Sequence, residues 1–414
     1  MTNGWTGGQY SLFRVAFGLY LAVHFFQLAP WGPELFSREG MIPSAAASPL
    51  AFLFPNVLVL ADSPAVVVAL LLAGGVLSLL LALGAWDRAA AVGIWYVWAC
   101  LLGRNPLILN PGIPYVGWLL LAHALLPPAP CGSVAARRRA VPGGSWRMTP
   151  AIFAGAWILM ALGYSYSGYA KLVSPSWLDG TALARVLENP LARPGFLREA
   201  VLSLPDPLLK GSTWAALSFE LLFAPLALSA RLRPWLWAAA LGMHVSLIAL
   251  IDFADLSMGM VMLHLFTLDP GWIAPAPARV PETIFYDGQC GLCHRSVRFV
   301  LAEDRRPGAA FRFAPLGGEA FVATIAPSAR RDLPDSLVVA TEDGRLLTRA
   351  AAALHIARRL GGVWRVVAVA AGLAPVRGLD RAYDFVARVR GRLFASPEKP
   401  CPIVGKDLQS RLLS

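Results

Sequence analysis

Hydrophobic residues follow two different patterns along this chain, and the change falls near residue 280. Before it, apolar residues run in long blocks: roughly Tyr10 to Leu28, Pro64 to Gly84, Arg88 to Gly103, Ile113 to Leu126, Pro150 to Lys171, Thr213 to Ser229, Pro234 to Ile251 and Phe253 to Leu268. A helix needs about 20 apolar residues to cross a hydrocarbon core. These blocks are read as about eight membrane spans, the fourth and last being short. After the change, apolar runs shrink to strand length and alternate with amphipathic stretches. Thr283 to Tyr286 reads as a buried strand, Asp287 to Cys293 as a turn, and His294 to Glu303 as a helix apolar at Val297, Val300 and Leu301. Ala310 to Ala314, Ser336 to Ala340 and Leu346 to Thr348 are predicted strands, the last two joined by a turn at Glu342 to Arg345. Ala350 to Leu360, Trp364 to Ala371 and Leu379 to Leu393 are predicted helices.

The architecture implied is a multi-pass α-helical membrane bundle over residues 1–272, a stiff Pro/Ala linker at 273–281, and an α/β thioredoxin-like domain over 282–414. Composition agrees: the 414 residues are 57% hydrophobic and 15% charged, against roughly 25% charged in a soluble domain. The net charge of +11 lies in short inter-helix loops and across the C-terminal domain, with no nucleic-acid motif, so nucleic acid is not an expected partner. The lipid bilayer is. Met1 to Tyr10 holds no basic cluster or cleavage site, so the first block is expected to be retained. Arg88, the cluster Arg137, Arg138, Arg139 and Arg147, and the pair Arg231 and Arg233 fall on one side of an eight-span arrangement. That side, with both termini, is expected to be cytoplasmic. Asp252 and Asp255 fall on the other.

Ionisable groups inside apolar blocks usually face a bundle interior. Arg14, His24, His123, Lys171, Glu220, His244 and His264 qualify; for Arg14, four residues into the first block, snorkelling outward is the alternative. The long fifth connection, Leu172 to Ser212, carries apolar residues at near-helical spacing from Trp177 to Leu202 and is read as interfacial helices that roof a cavity, or as a packed surface loop. Lys171 ends the run Gly163-Tyr-Ser-Tyr-Ser-Gly-Tyr-Ala-Lys171; beside an apolar cavity a lysine can act as a base. Ser11-Leu-Phe-Arg14-Val-Ala-Phe-Gly18, Tyr166 to Gly180, His244 and Ser257-Met-Gly259-Met resemble the membrane domain of vitamin K-dependent gamma-carboxylases, the horizontally transferred transmembrane (HTTM) domain found widely in bacteria. The resemblance covers most of residues 10–270. It implies a bacterial inner membrane, a quinone-type, vitamin K-like cofactor, Lys171 as the base that deprotonates a hydroquinone, and His244 beside that ligand. The family's Asn-His pair appears here as Asn110-Pro111, and its lumenal domain is missing.

Five cysteines are too few and scattered for a secreted scaffold, and only Cys290 and Cys293 are spaced for joint chemistry. A thiolate at a helix start faces unpaired N–H groups and the positive dipole end, which favour the charged form. Cys290 is therefore the expected nucleophile, open to a partner, and Cys293 the resolving thiol; His294 and Arg295 add positive charge. Other readings stay open. Cys290-Gly-Leu-Cys293-His294 spells a haem-attachment signature, a zinc site would recruit Cys401 and His355, and the pair can be inert. Cys100 and Cys131 are either relay thiols or core residues.

Tyr286-Asp-Gly-Gln-Cys-Gly-Leu-Cys293, Phe311 to Leu316, Asp335 to Val339, Leu360-Gly-Gly-Val-Trp364 and Arg381 to Arg390 resemble the DCC family (DUF393) of thiol-disulfide oxidoreductases, over nearly all of 282–402. The Asp-x-x-Cys-x-x-Cys motif stands as Asp287, Cys290 and Cys293. The resemblance implies protein-disulfide reductase activity on a protein thiol or disulfide partner. Pro334 is where a thioredoxin-like fold would keep a cis-proline. The leading expectation is a membrane-anchored thiol-disulfide oxidoreductase needing no metal. The alternatives are a quinone-dependent, carboxylase-like enzyme using Lys171 and a lipid-binding scaffold without catalysis.

Overall fold

The computed structural model describes residues 3–50, 52–138, 146–252, 254–277, 279–304, 310–394 and 406–413. Among these, residues 7–267 hold eight helices of 14 to 22 residues, one at each predicted block: α1 Gly7–Leu28, α2 Pro64–Leu83, α3 Asp87–Arg104, α4 Gly112–Leu125, α5 Pro150–Lys171, α6 Asp206–Ala227, α7 Arg233–Leu250 and α8 Ala254–Thr267. Arg139, Phe253 and Cys401 lie outside the described residues.

Helix formation does not make each block a span. Among the described residues, three helices are long and apolar enough to cross a membrane: α1 continued to Phe36, α2 and α5. A fourth arises only if Gly362–Ala371 and Val376–Arg392, bent by 114°, are counted as one. The expectation of eight spans is therefore corrected. At about 1.5 Å per residue, a 14-residue helix such as α4 or α8 reaches about 21 Å of the roughly 30 Å core, and α3 and α6 carry charged residues at Asp87, Arg88, Asp206, Lys210 and Glu220.

Close packing in the bundle depends on small residues. A Cβ on Gly18 of α1 would stand 2.6 Å from the Ala82 nitrogen of α2, and one on Gly168 of α5 would stand 2.7 Å from the Leu221 nitrogen of α6. Arg14 does not snorkel. It is 1% exposed, and its Nη1 donates to the Leu81 and Ala82 carbonyls at 2.6 and 2.5 Å, in the last turn of α2, where carbonyls lack the full set of intrahelical partners. In the fifth connection, Ala182–Glu188 and Phe196–Leu202 are helical as expected.

The C-terminal region is a small mixed sheet with helices on both faces: β1 Glu282–Tyr286, α9 Gly291–Glu303, β2 Phe311–Pro315, β3 Val338–Ala340, β4 Leu346–Thr348, α10 Arg349–Leu360, α11 Gly362–Ala371 and α12 Val376–Leu393. The strand order is β2-β1-β3-β4, with β1 parallel to β2 and antiparallel to β3, and β3 antiparallel to β4. Alternation along β1 sends Ile284 and Tyr286 to the face shared with Val297, Val300 and Ile356, and Phe285 to the face shared with Phe321 and Ile325. Two short helices on that second face, Glu319–Thr324 and Pro327–Arg331, carry no sequence expectation.

The sheet region is tied to the bundle through α9. Glu303, 3% exposed, accepts the Gly8 N–H at 2.8 Å, the Trp364 Nε1–H at 2.7 Å and the Thr6 hydroxyl. A carboxylate there meets unpaired N–H groups at the start of α1. Gly361 and Gly362, at φ +73° and +55°, let the chain turn where a Cβ would stand 2.9 Å from Pro275 and 2.4 Å from Gln9.

Candidate functional site

The Cys-x-x-Cys segment is built by local hydrogen bonds. β1 ends at Tyr286, and Asp287 turns the chain: its Oδ1 accepts the Gln289 N–H at 2.8 Å and its carbonyl accepts the Cys290 N–H at 3.2 Å. Cys290 then caps α9, its Sγ accepting the Cys293 N–H at 3.3 Å. An N-cap acceptor carrying negative charge faces the unpaired donors of the first turn. Both cysteines are free thiols.

Exposure of the two cysteines differs from expectation. Cys290 is 8% exposed, whereas Cys293 is half-buried and lines a cavity. Burial, the hydrogen bond with Cys290 and the charge on Cys290 push the Cys293 thiol up to about 12. Charge thus disfavours Cys293 as the thiolate, while access favours the Cys293 side. Packing of helices over the thiols, which the sequence pattern does not reveal, separates the two properties.

The cation beside the thiols is Arg390 of α12. Its Nη2 lies 2.6 Å from Asp335 Oδ1 and 3.5 Å from Asp287 Oδ2, and its charge acts on both sulfurs. His294 instead bonds the Gly288 carbonyl through Nε2 at 3.0 Å, and Arg295 stacks 4.7 Å from the Phe394 ring. Sequence reasoning missed Arg390 as a site residue; the signal available was its place at the end of the Arg381 to Arg390 segment. No cis peptide bond occurs among the described residues, so Pro334 is trans, a correction to the expectation for that position. His355 pairs with Glu282 at 2.6 Å.

Lys171 and His244 meet in the bundle, apart from Asp287, Cys290 and Cys293. A cavity of about 410 Å3 lies between α5, α6 and α7 and is covered by Trp177, Leu183 and Val186 of the fifth connection. Lys171 Nζ donates to Glu220 Oε2 at 2.5 Å and Ser167 Oγ at 2.7 Å, 5.0 Å above the Trp177 ring. His244 lines the same cavity, 6% exposed, and neither ring nitrogen has a hydrogen-bond partner among the described residues. Next to it, Tyr164 reaches His264 Nε2 at 3.1 Å, and His264 Nδ1 lies 2.7 Å from the Met260 carbonyl.

Two thiols at a strand-turn-helix junction in a mixed sheet define a thiol-disulfide redox domain. The chain belongs to the DCC1-like thiol-disulfide oxidoreductase family, whose model matches residues 284–396. It is also similar to the uncharacterized protein YuxK of Bacillus subtilis (strain 168), 32% identical over 134 residues, which are 32% of this chain and 93% of YuxK. No solved structure matches it.

Proposed function

We propose that this protein is a membrane-anchored, protein-disulfide reductase type of thiol-disulfide oxidoreductase with a thioredoxin-like redox domain. The observation that carries the reading is Cys290 at the start of α9 with its sulfur accepting the Cys293 N–H. Cys290 thiolate attacks one sulfur of a substrate disulfide, forming a mixed disulfide and releasing one substrate thiolate, which takes up a proton. Cys293 then gives up its proton and attacks the Cys290 sulfur, forming the Cys290–Cys293 disulfide and releasing the second substrate thiolate. Two electrons pass from the dithiol to the substrate, and a cytoplasmic dithiol donor restores the site. Asp287 shapes the turn and, with Asp335, holds Arg390 beside the sulfurs.

Membrane anchoring is supported by the three long apolar helices, and the bacterial inner membrane is the site that the HTTM-like resemblance implies. A cytoplasmic redox domain is supported by its contact with the start of α1, at the end of the bundle where the segment leading to Arg137 bonds the end of α2. A second reading concerns the bundle. The cavity holding Lys171, Glu220 and the unpartnered His244 favours a quinone-type ligand in an HTTM-like domain, with Lys171 as base.

The test uses full-length protein in lipid with a disulfide-bonded peptide. Cys293→Ser accumulates a mixed disulfide on Cys290, and Cys290→Ser accumulates none. Trapping on Cys293 instead reverses the roles, and full activity of both variants ends the reading.

A further inference from the structure

The cavity beside Cys293 has a volume of about 240 Å3 and lies between the inner face of α9, the sheet, α10 and α12. Its walls are mostly carbon, with Tyr286, Val297, Phe313, Leu337 and Val386 among them. The polar groups that reach it are partly engaged elsewhere. The Tyr383 hydroxyl accepts the Leu337 N–H at 3.1 Å, and Arg390 is held by two carboxylates. With most of the lining apolar, a polar occupant would exchange most of its hydrogen bonds to water for contact with carbon. The volume also falls below the roughly 300–1,000 Å3 of sites that enclose whole small molecules, while suiting one large side chain. Because Cys293 forms part of the wall and its N–H bonds the Cys290 sulfur, an occupant lies near any sulfur joined to Cys290.

We infer that this cavity is the specificity subsite of the thiol centre and takes a large apolar side chain next to the cysteine of a substrate polypeptide. The inference rests on the reductase reading above and adds the substrate class: disulfides whose cysteine is flanked by Phe, Leu or a similar residue. The flanking side chain is buried against Val297 and Phe313, which holds the scissile bond against Cys290 in both the encounter and the mixed disulfide. Docking costs little where α12 leaves the space already formed.

The test compares two disulfide-bonded peptides, identical except for Phe or Ser beside the cysteine, as substrates of full-length protein in lipid. The Phe peptide is expected to have a kcat/KM at least about tenfold higher, the lower end of what one apolar pocket discriminates. Ala387→Phe on α12 and, separately, Ala353→Leu on α10 put side-chain bulk into the cavity from two walls, and each is expected to bring that ratio close to one. Equal kcat/KM for both peptides, with both reduced, overturns the inference and leaves the reductase reading standing. A preference for Phe that survives both variants also overturns it. Reduction of neither peptide overturns the two together.

Discussion

The contrast between the two thiols is measurable as a difference in alkylation rate. A Cys293 thiol at about 12 is ionised to roughly one part in ten thousand at about pH 8, whereas a free thiol near 8.5 is about one quarter ionised. The thiolate fraction alone would slow Cys293 about 2,000-fold. A more basic thiolate is also more nucleophilic, with a Brønsted slope of about 0.4–0.5, which returns roughly 40-fold over 3.5 units. Cys293 in the reduced wild-type protein should therefore react with iodoacetamide about 50-fold more slowly than a free cysteine, before any loss from its partial burial. Peptide mapping after timed pulses reads each site separately. The rate should rise about tenfold per pH unit to beyond pH 11. Cys290→Ser removes both contributions of Cys290 and leaves burial, so Cys293 should become more reactive, though still less than a free thiol. Wild-type Cys293 labelling at the rate of free cysteine, or slower labelling in Cys290→Ser, would refute the electrostatic account of the pair.

Two further outcomes follow from buried charges. Glu282 of β1, wholly buried, accepts from His355 and Arg359 at 2.6 Å each, and Glu282→Gln should cost about 3–5 kcal/mol because Arg359 loses its nearest carboxylate. Burial acts to raise the Glu282 carboxyl, but the hydrogen bonds and charges of His355 and Arg359 win and hold it below its usual 4.5. The folded value is depressed, so this stabilisation is present above about pH 4.5 and is lost as pH falls through the folded value; thermal melts of wild type and Glu282→Gln should converge there. In the bundle, Lys171→Ala strands Glu220 and should lower the melting temperature in detergent. Lys171→Ala with Glu220→Leu should recover the stability without recovering retention of extractable quinone. Quinone retained by both variants would reduce Lys171 to a partner of Glu220.

What the sequence by itself determined is local. Apolar blocks against polar loops located the eight bundle helices, and short apolar runs bounded by turns located the four strands to within a residue or two. Asp287, Cys290 and Cys293 were legible because the turn, the cap and the helix start are made by hydrogen bonds between residues no more than three positions apart. The tertiary structure decided whatever depends on partners distant in the chain. Arg390 reaches Asp287 and the sulfurs only because α12 folds back over α9, and Lys171 finds Glu220 only because Gly168 lets α5 and α6 approach. Glu303 reads as an ordinary charged helix end, yet it is buried against the start of α1. The relative exposure of the two sulfurs belongs to the same class, since burial is set by what packs over a residue, and two cysteines on one turn carry no record of the helix that covers them.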